Sequence, residues 1–599
     1  MSNVLFKTLN CVGKSSSGSG SGGGSDNTAR YTPLTFTAVG DSAEIALTSY
    51  GDFEEYEGLI QYRYGTDGEW LNYPYYTLPL FFNGVGNCIQ FRGFLESGKS
   101  GNSLRFITLG TDNPSKYVAA SGNVMSLYNY ADSVPDYGLY ALFQDCKNLL
   151  AAPDIIAESV GFCGCERMFE NCTLIKTAPV LTATNLSSCC YGGMFSNCFS
   201  LQNAPELAAT HLSESCYENM FMNTAIETAP ELPATTLAYY CYRGMFMFCT
   251  ELVNPPVLSA TELAPYCYND MFYGCFSLET APELPATILS DYCYSGMFSE
   301  CESLTEAPVL PVLVLQEGCY SGMFSSCSSL QYPPELPATE LAPDCYSGMF
   351  NNCSELVSAP ELPATVLEPR CYAVMFSGCY GLEEPPELPA TTLAVACYES
   401  MFDSCEMLQY APVLPATQLE PYCYANMFNY CYSLTEAPEL PATTLAPGCY
   451  FSMFSDCYSI TVAPELPATE LAEECYCSMF RYSSISEPVW LNATSLQPLC
   501  YANMFEGCEY LPYCVISAES LESHSCDSMF AYCMSLGMVD VSFTSWESPD
   551  GEIATEGWLT NAGEWEIDDE SPPTFFAPAD LEEIRDDSHI PESWAYEPY

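Results

Sequence analysis

Positive charge is what this sequence lacks most. Its 599 residues hold 15 lysines and arginines against 76 aspartates and glutamates, a formal net charge of −61. Such a chain is repelled by a nucleic-acid backbone or an anionic lipid surface, so neither is expected as a partner. Histidine is also scarce: His211, His524 and His589 are the three, and none recurs beside a nucleophile. The dense glycine run falls within residues 15–25 and does not open a helix after a strand, so no phosphate loop is expected. Carboxylate pairs are too widespread to mark an acid–base couple. The expectation is therefore no catalytic residue, no metal ligand and no enzyme activity. No apolar stretch reaches the ~18 residues that membrane insertion needs, and the start, MSNVLFKTLNCVGK, has no apolar core of secretory length. These features predict synthesis in a cytoplasm and, for an extracellular role, release by a route such as lysis.

What is abundant is material for a core. Hydrophobic residues make up 48% and aromatics 14%, which excludes a disordered chain, and there are 35 cysteines. The middle of the sequence repeats. Phe272, Phe298, Phe324, Phe350, Phe376, Phe402, Phe428 and Phe454 are 26 residues apart, and the series runs back to Phe143 and forward to Phe530 in sixteen units, three of its steps being 25. A fixed period of this size means a solenoid or propeller rather than separate globules, and in a solenoid the units bury their apolar faces against one another.

The unit reads L-x-x-A-P-E-L-P-A-T-x-L-x-x-x-C-Y-x-x-M-F-x-x-C-x-x-L, as in Leu330 to Leu356. Cys345, Met349 and Cys353 are four apart, and Tyr346, Phe350 and Cys353 are four and three apart. This spacing predicts a short helix of two to three turns. Pro343, Pro369, Pro421 and Pro447 just before it suit a first helical turn. The Ala-Pro-Glu-Leu-Pro segment should be extended, with ladders of only two or three residues because proline cannot donate. The fold class read from this is an α+β repeat solenoid of short strands and short helices, preceded by a small all-β sandwich.

The M-F-x-x-C-x-x-L core followed by an extended, proline-bounded segment resembles the A-F-x-x-C-x-x-L unit of BspA-like leucine-rich-repeat proteins of gut and oral Bacteroidetes and their phages, over roughly residues 131–540. The resemblance implies a right-handed solenoid with a strand column on one side and short helices on the other, in a family of surface adhesins and binding proteins.

Four regions are expected. Residues 1–30 form a flexible Gly/Ser-rich arm, and 31–128 an Ig-like β-sandwich built from LTFTAV, AEIALTS, LIQYRYG, CIQFRGF and LRFITLG, with YRYGTDGEW (Tyr62, Tyr64, Trp70) as one hairpin. The leucine-rich-repeat solenoid occupies 129–540, and 541–599 form an acidic cap carrying Trp546, Trp558, Trp565 and Trp594.

Two cysteine columns, one before each tyrosine and one after each phenylalanine, read as reduced, buried small hydrophobes. Partners eight apart on a helix lie about 12 Å apart, too far for a disulfide, and Thr224 and Ser483 replace the second column without loss in the first. The tyrosines from Tyr191 to Tyr501 read as packing with hydroxyls at the rim. Glu283, Glu335, Glu361, Glu387, Glu439 and Glu465 share one unit position, which Val180, Val257, Val309 and Val413 fill elsewhere. That column reads as a solvated face, with weak Ca²⁺ or a basic protein partner as the functional alternatives; no other cofactor is expected. The two residues after each phenylalanine vary from unit to unit, so Met247-Phe248, Asn351-Asn352 and Asn429-Tyr430 are the expected recognition surface.

The function expected is a non-enzymatic binding scaffold: a phage virion fibre or capsid decoration that presents the repeats to a bacterial surface protein or glycan and joins other virion proteins through its arm. A bacterial cell-surface adhesin is the alternative. A glycan-active enzyme with its site in the N-terminal sandwich is the reading from another class.

Overall fold

The computed structural model describes residues 29–49, 56, 58–74, 79–95, 104–109, 113–565 and 572–599. Nearly all of the arm expected over residues 1–30 lies outside them. The chain divides into two compact units, residues 1–288 and 289–599.

The first unit begins with alternating apolar segments that form strands. These are β1 (Leu34–Ala38), β2 (Ser42–Ser49), β3 (Ile60–Tyr64), β4 (Leu71–Asn72), β5 (Leu80–Asn83), β6 (Cys88–Gly93), β7 (Leu104–Thr108) and β8 (Val118–Ser121). They make two antiparallel sheets, β4-β3-β6-β1-β8 and β5-β2-β7. Phe36 and Phe91 of one sheet meet Phe106 of the other, with ring centroids 4.9 and 5.1 Å away. The YRYGTDGEW segment is a hairpin, Tyr62 facing Leu71, with Arg63 and Arg92 over the Trp70 ring at 4.6 and 4.3 Å. β8 joins the two architectures. It runs antiparallel to β1 on one side, while Val118 bridges Leu149 in parallel on the other, so the sheet edge becomes the first rung of the coil.

The repeats do not form the α+β solenoid that the spacing predicts. In both units the repeats form parallel β-solenoid turns, about 18 in all, and helix accounts for about 2% of the described residues. The Cys-Tyr-x-x-Met-Phe-x-x-Cys segment is a ribbon of successive turns. In the repeat of residues 187–198, the amides of Cys190, Gly192, Met194, Ser196 and Cys198 donate to carbonyls three residues back. The alternate amides of Cys189, Tyr191, Gly193, Phe195 and Asn197 donate sideways to Glu214, Cys216, Glu218, Met220 and Met222, at 2.8–3.0 Å. Every fourth residue is left-handed: Cys189, Gly193 and Asn197 have φ of 57°, 57° and 60°. Over eight residues a period of four and a period of 3.6 bring the same side chains together, which is why the spacing reads as a helix. A helix, however, commits its interior amides to its own carbonyls, and the ribbon keeps half of them for the neighbouring turn. The prolines fit this pattern: Pro343, Pro369, Pro421 and Pro447 occupy a position whose N–H has no part in the ladder, and their carbonyls accept from the preceding turn at 2.9–3.0 Å.

The extended half of each turn is bridged sparsely, as the proline column dictates. β9 (Ser133–Val134), β10 (Ser159–Val160) and β11 (Asn185–Leu186) pair in parallel over two residues each, and most later turns carry single bridges such as His211 to Thr236.

Side chains stack in register with these ladders. In the first unit Phe106, Phe143, Phe169, Phe195, Phe221, Phe246 and Phe272 form a column with centroids 5.2–5.8 Å apart and planes within 15°. In the second unit the column runs from Phe298 to Phe530 at 5.6–6.0 Å and ends on Trp558, which is fully buried. The end of the second unit is a parallel sheet of β12 (Val489–Leu491), β13 (Tyr513–Ile516), β14 (Met538–Val541), β15 (Thr574–Ala577) and β16 (Ala595–Pro598). Trp546 and Trp558 donate their indole N–H groups to Glu582 and His589 carbonyls at 2.7 Å, closing the apolar interior.

The ribbon and the helix make opposite predictions at its left-handed positions, Gly348 (φ 61°) and Val374 (φ 59°). Gly348→Ala should lower stability by about 1 kcal/mol, and Val374→Gly should raise it by up to about 1 kcal/mol, because a Cβ in that region costs ~1–2 kcal/mol. Urea midpoints check both, and a helix would reverse both signs.

Candidate functional site

The residues with the most reactive side chains are the least accessible. All the described cysteines are free thiols, and those of both columns are buried. The second column has a bonding role. The thiols of Cys172, Cys198 and Cys275 point at the carbonyls of Phe143, Phe169 and Phe246, one turn back, at 3.0–3.2 Å. Those of Cys353, Cys379 and Cys431 do the same with Phe324, Phe350 and Phe402 at 3.1 Å. Each such carbonyl also takes the amide of its own cysteine, so the thiol fills its second lone pair. The two exceptions bond differently. Thr224 and Ser483 donate their hydroxyls to the Phe221 and Phe480 carbonyls of their own turn at 2.9 and 2.7 Å, the same carbonyls that the Cys249 and Cys508 thiols of the following turn reach at 3.0 Å.

The tyrosines do not sit at a rim. Tyr191 to Tyr268 in the first unit, and Tyr294 to Tyr501 in the second, stack at 5.7–6.1 Å with planes within 11°. Each is at most 2% exposed where its burial is given. The Tyr191 and Tyr372 hydroxyls are buried without a hydrogen-bond partner. These rings are interior mortar and cannot meet a ligand.

The expected surface residues fall on two faces of the turns. Glu283 in the first unit, and Glu335, Glu361, Glu387, Glu439 and Glu465 in the second, all lie exposed on the extended segments. The valines sharing their position are exposed too: Val257, Val309 and Val413 are 76–78% accessible. The position thus faces water whatever fills it. In the first unit a shallow recess of about 890 Å³ lies on this face, bordered by Glu206, Glu227 and Glu231.

The other face is the ribbon just after each phenylalanine. Phe248 is half-buried, its ring edge-on to Tyr273 at 5.2 Å and seated where a side chain on Gly274 would otherwise be. Asn351 donates to the Ser377 carbonyl at 3.1 Å, and Asn352 to the Asn351 side chain at 2.8 Å. Asn429 donates to Asp403 at 3.2 Å, and Tyr430 stands 41% exposed. Part of this variation is conformational. Phe248, Asn352 and Tyr430 have φ of 57°, 59° and 58°, so the second position after phenylalanine is a left-handed one that favours Gly, Asn and Asp.

The spacing reading passed over the column four residues after phenylalanine. There Tyr432 and Tyr458 stack on adjacent turns at 5.3 Å, and Tyr430 meets Tyr432 edge-on at 6.2 Å. The signal was present in the sequence as aromatic residues following the second cysteine in consecutive units. A turn further on, the Arg481 guanidinium lies 4.7 Å over the Tyr482 ring and donates to Glu506 at 2.7 Å.

Among the described residues one group could hold a metal ion: His524, Asp527 and Glu556, with ligand atoms within 4.8 Å of one another. His524 Nδ1 and Asp527 Oδ2 are 2.6 Å apart, and Asp527 Oδ1 accepts the Glu556 backbone amide at 2.8 Å, so both Asp527 oxygens are engaged while Glu556 itself is exposed. Among these residues no helix is long and apolar enough to cross a membrane.

No family model matches the sequence, and no curated protein matches it. Among solved structures, the chain is similar to a leucine-rich repeat protein from Bacteroides ovatus ATCC 8483, with 16% identity and a TM-score of 0.42 over 71% of this chain and 92% of that one.

Burial sets the pH range of the fold. It pushes the Cys146 and Cys249 thiols up to about 11, and those of Cys345, Cys353, Cys397 and Cys449 up to about 12. A thiol whose folded pKa is raised stabilises fully below its unfolded value of ~8.5, and that contribution is lost as pH rises through the folded value. Each thiol contributes a loss of about 1.4 kcal/mol per pH unit in that window. The urea midpoint should therefore be flat from about pH 6 to 8 and fall steeply between about pH 9 and 11. Titration with a thiol reagent at pH 8 should find only a few reactive cysteines until the chain unfolds.

Proposed function

We propose that the chain is a non-enzymatic binding scaffold of the BspA-like leucine-rich-repeat type, carried on a phage particle as a fibre or capsid decoration and directed at the surface of a gut bacterium. The observation that carries the scaffold reading is the division of labour within each turn. The column thiols and tyrosines are spent on the interior together with the phenylalanines, while the positions after phenylalanine, several of them partly or fully exposed, change from turn to turn. A coil of equal turns fixes the spacing of those variable side chains, as recognition over an extended surface requires. The acidic extended face keeps such an array soluble and discourages edge-to-edge association. The ligand class under this reading is a bacterial surface protein or glycan.

Purified chain should bind intact cells of a susceptible gut bacterium saturably and leave their surface glycans uncleaved, as followed by flow cytometry and product analysis. Antibody to the chain should label purified virions. Labelling of the envelope of uninfected cells instead would establish the adhesin, and glycan cleavage by the chain would overturn the scaffold reading.

A further inference from the structure

In the second unit an aromatic patch lies beside carboxylates, and among the described residues no cation is paired with it. Tyr432 and Tyr458 lie parallel at 5.3 Å, with planes within 6°, and Tyr430 closes on Tyr432 edge-first. Tyr458 is 53% exposed and Tyr430 41%. Two carboxylates flank the rings. Asp456 accepts the Tyr458 hydroxyl at 3.1 Å, and Glu406 occupies, one turn earlier and exposed, the unit position of Tyr432. Partial burial, and then the fields of Glu406 and Asp456, hold the Tyr432 hydroxyl above its usual range, so both carboxylates act on the patch.

The cations of this unit are already committed. Residues 289–599 hold three arginines and no lysine against 48 aspartates and glutamates. Arg370 pairs with Asp344 and Glu399 at 3.0 and 3.3 Å, Arg481 with Glu506 at 2.7 Å, and Arg585 with Glu583 at 2.6 Å. The chain also shows what such a patch accepts. Arg481 lies over the Tyr482 ring while it donates to Glu506. In the first unit Arg243 lies 4.8 Å over Tyr240 while it donates to Glu218 at 3.2 Å. Tyrosine face plus carboxylate is thus this protein's own arginine site, and at 406–458 exposed Glu406 and Tyr458 stand with half-buried Tyr432 and Asp456, the latter also accepting the Ser455 hydroxyl at 2.8 Å, without an arginine among the described residues.

We propose that Tyr430, Tyr432 and Tyr458, together with Glu406 and Asp456, bind an arginine side chain presented by an extended basic segment of a partner protein. The planar guanidinium can stack on a ring and donate two parallel hydrogen bonds to a carboxylate, which a lysine ammonium cannot do. The proposal rests on the scaffold reading above and names the partner chemistry of one stretch of its variable face.

The test uses the full chain and a fluorescein-labelled Gly-Arg-Gly-Arg-Gly peptide, with anisotropy read at low and physiological salt. Y432A/Y458A keeps the net charge and should weaken binding about tenfold. E406Q/D456N should weaken it as much, and its urea midpoint checks folding independently of the ring variant. E361Q/E387Q, which removes two charges from the extended face, should change binding by less than about twofold, and Gly-Lys-Gly-Lys-Gly should bind the parent several-fold more weakly. Equal binding by parent and Y432A/Y458A, or equal affinity for the two peptides, overturns the proposal in favour of diffuse charge attraction. Binding of neutral oligosaccharides that is lost in Y432A/Y458A, without arginine-peptide binding, overturns it in favour of a sugar platform. The cell-binding assay on the same variants reads the scaffold function separately and can succeed where the peptide assay fails.

Discussion

Everything in the repeats depends on a choice made at each amide of the ribbon. An N–H that bonds three residues back makes a turn; the next one, bonding sideways, joins that turn to its neighbour. Because the two alternate, every ribbon is both a folded element and a rung. The left-handed residue at every fourth position keeps the alternation in phase, at a conformational cost of ~1–2 kcal/mol wherever it is not glycine. Val374 and Phe248 show that the cost is accepted even for bulky side chains, because the lateral bonds and the stacked interior over-determine the backbone.

The interior follows from that register. Once successive turns superimpose, each side chain meets its own kind, and columns of phenylalanine, tyrosine, methionine and cysteine result. Cysteine suits the second column for a reason beyond size, since its thiol supplies a donor to a phenylalanine carbonyl in the preceding turn. Alanine would fill less space and donate nothing, whereas threonine and serine, at 224 and 483, turn their hydroxyls to the phenylalanine carbonyl of their own turn. The thiols of both columns are thereby kept away from solvent.

The surface is acidic because so few cations offset the carboxylates, and the three arginines of the second unit are each held by a carboxylate. Arg243 and Arg481 each sit on a tyrosine and a carboxylate, a pairing that reappears without its arginine at 430–458. Net charge of this size bears on more than solubility, because its field attracts basic surfaces and repels acidic ones at long range.

The 26-residue period by itself determined that the units stack and which side chains meet between them, because identical units can hide their apolar faces only against each other. Sequence alone also placed the cysteines inside and unbridged, and kept the strand ladders short through the proline column. It could not decide between helix and ribbon. Cys345, Met349 and Cys353 fall on one side at a period of 3.6 or of four, and only hydrogen bonding to a neighbouring turn, a tertiary fact, distinguishes the two. The Gly, Asn and Asp residues at every fourth position carried a trace of the answer, yet positions 352 and 430 read equally well as recognition residues. Nor could sequence show that the tyrosines lie wholly inside while Tyr432 and Tyr458 stand outside: both sets recur at the repeat spacing, and the direction in which each points was fixed only when the turns closed on one another.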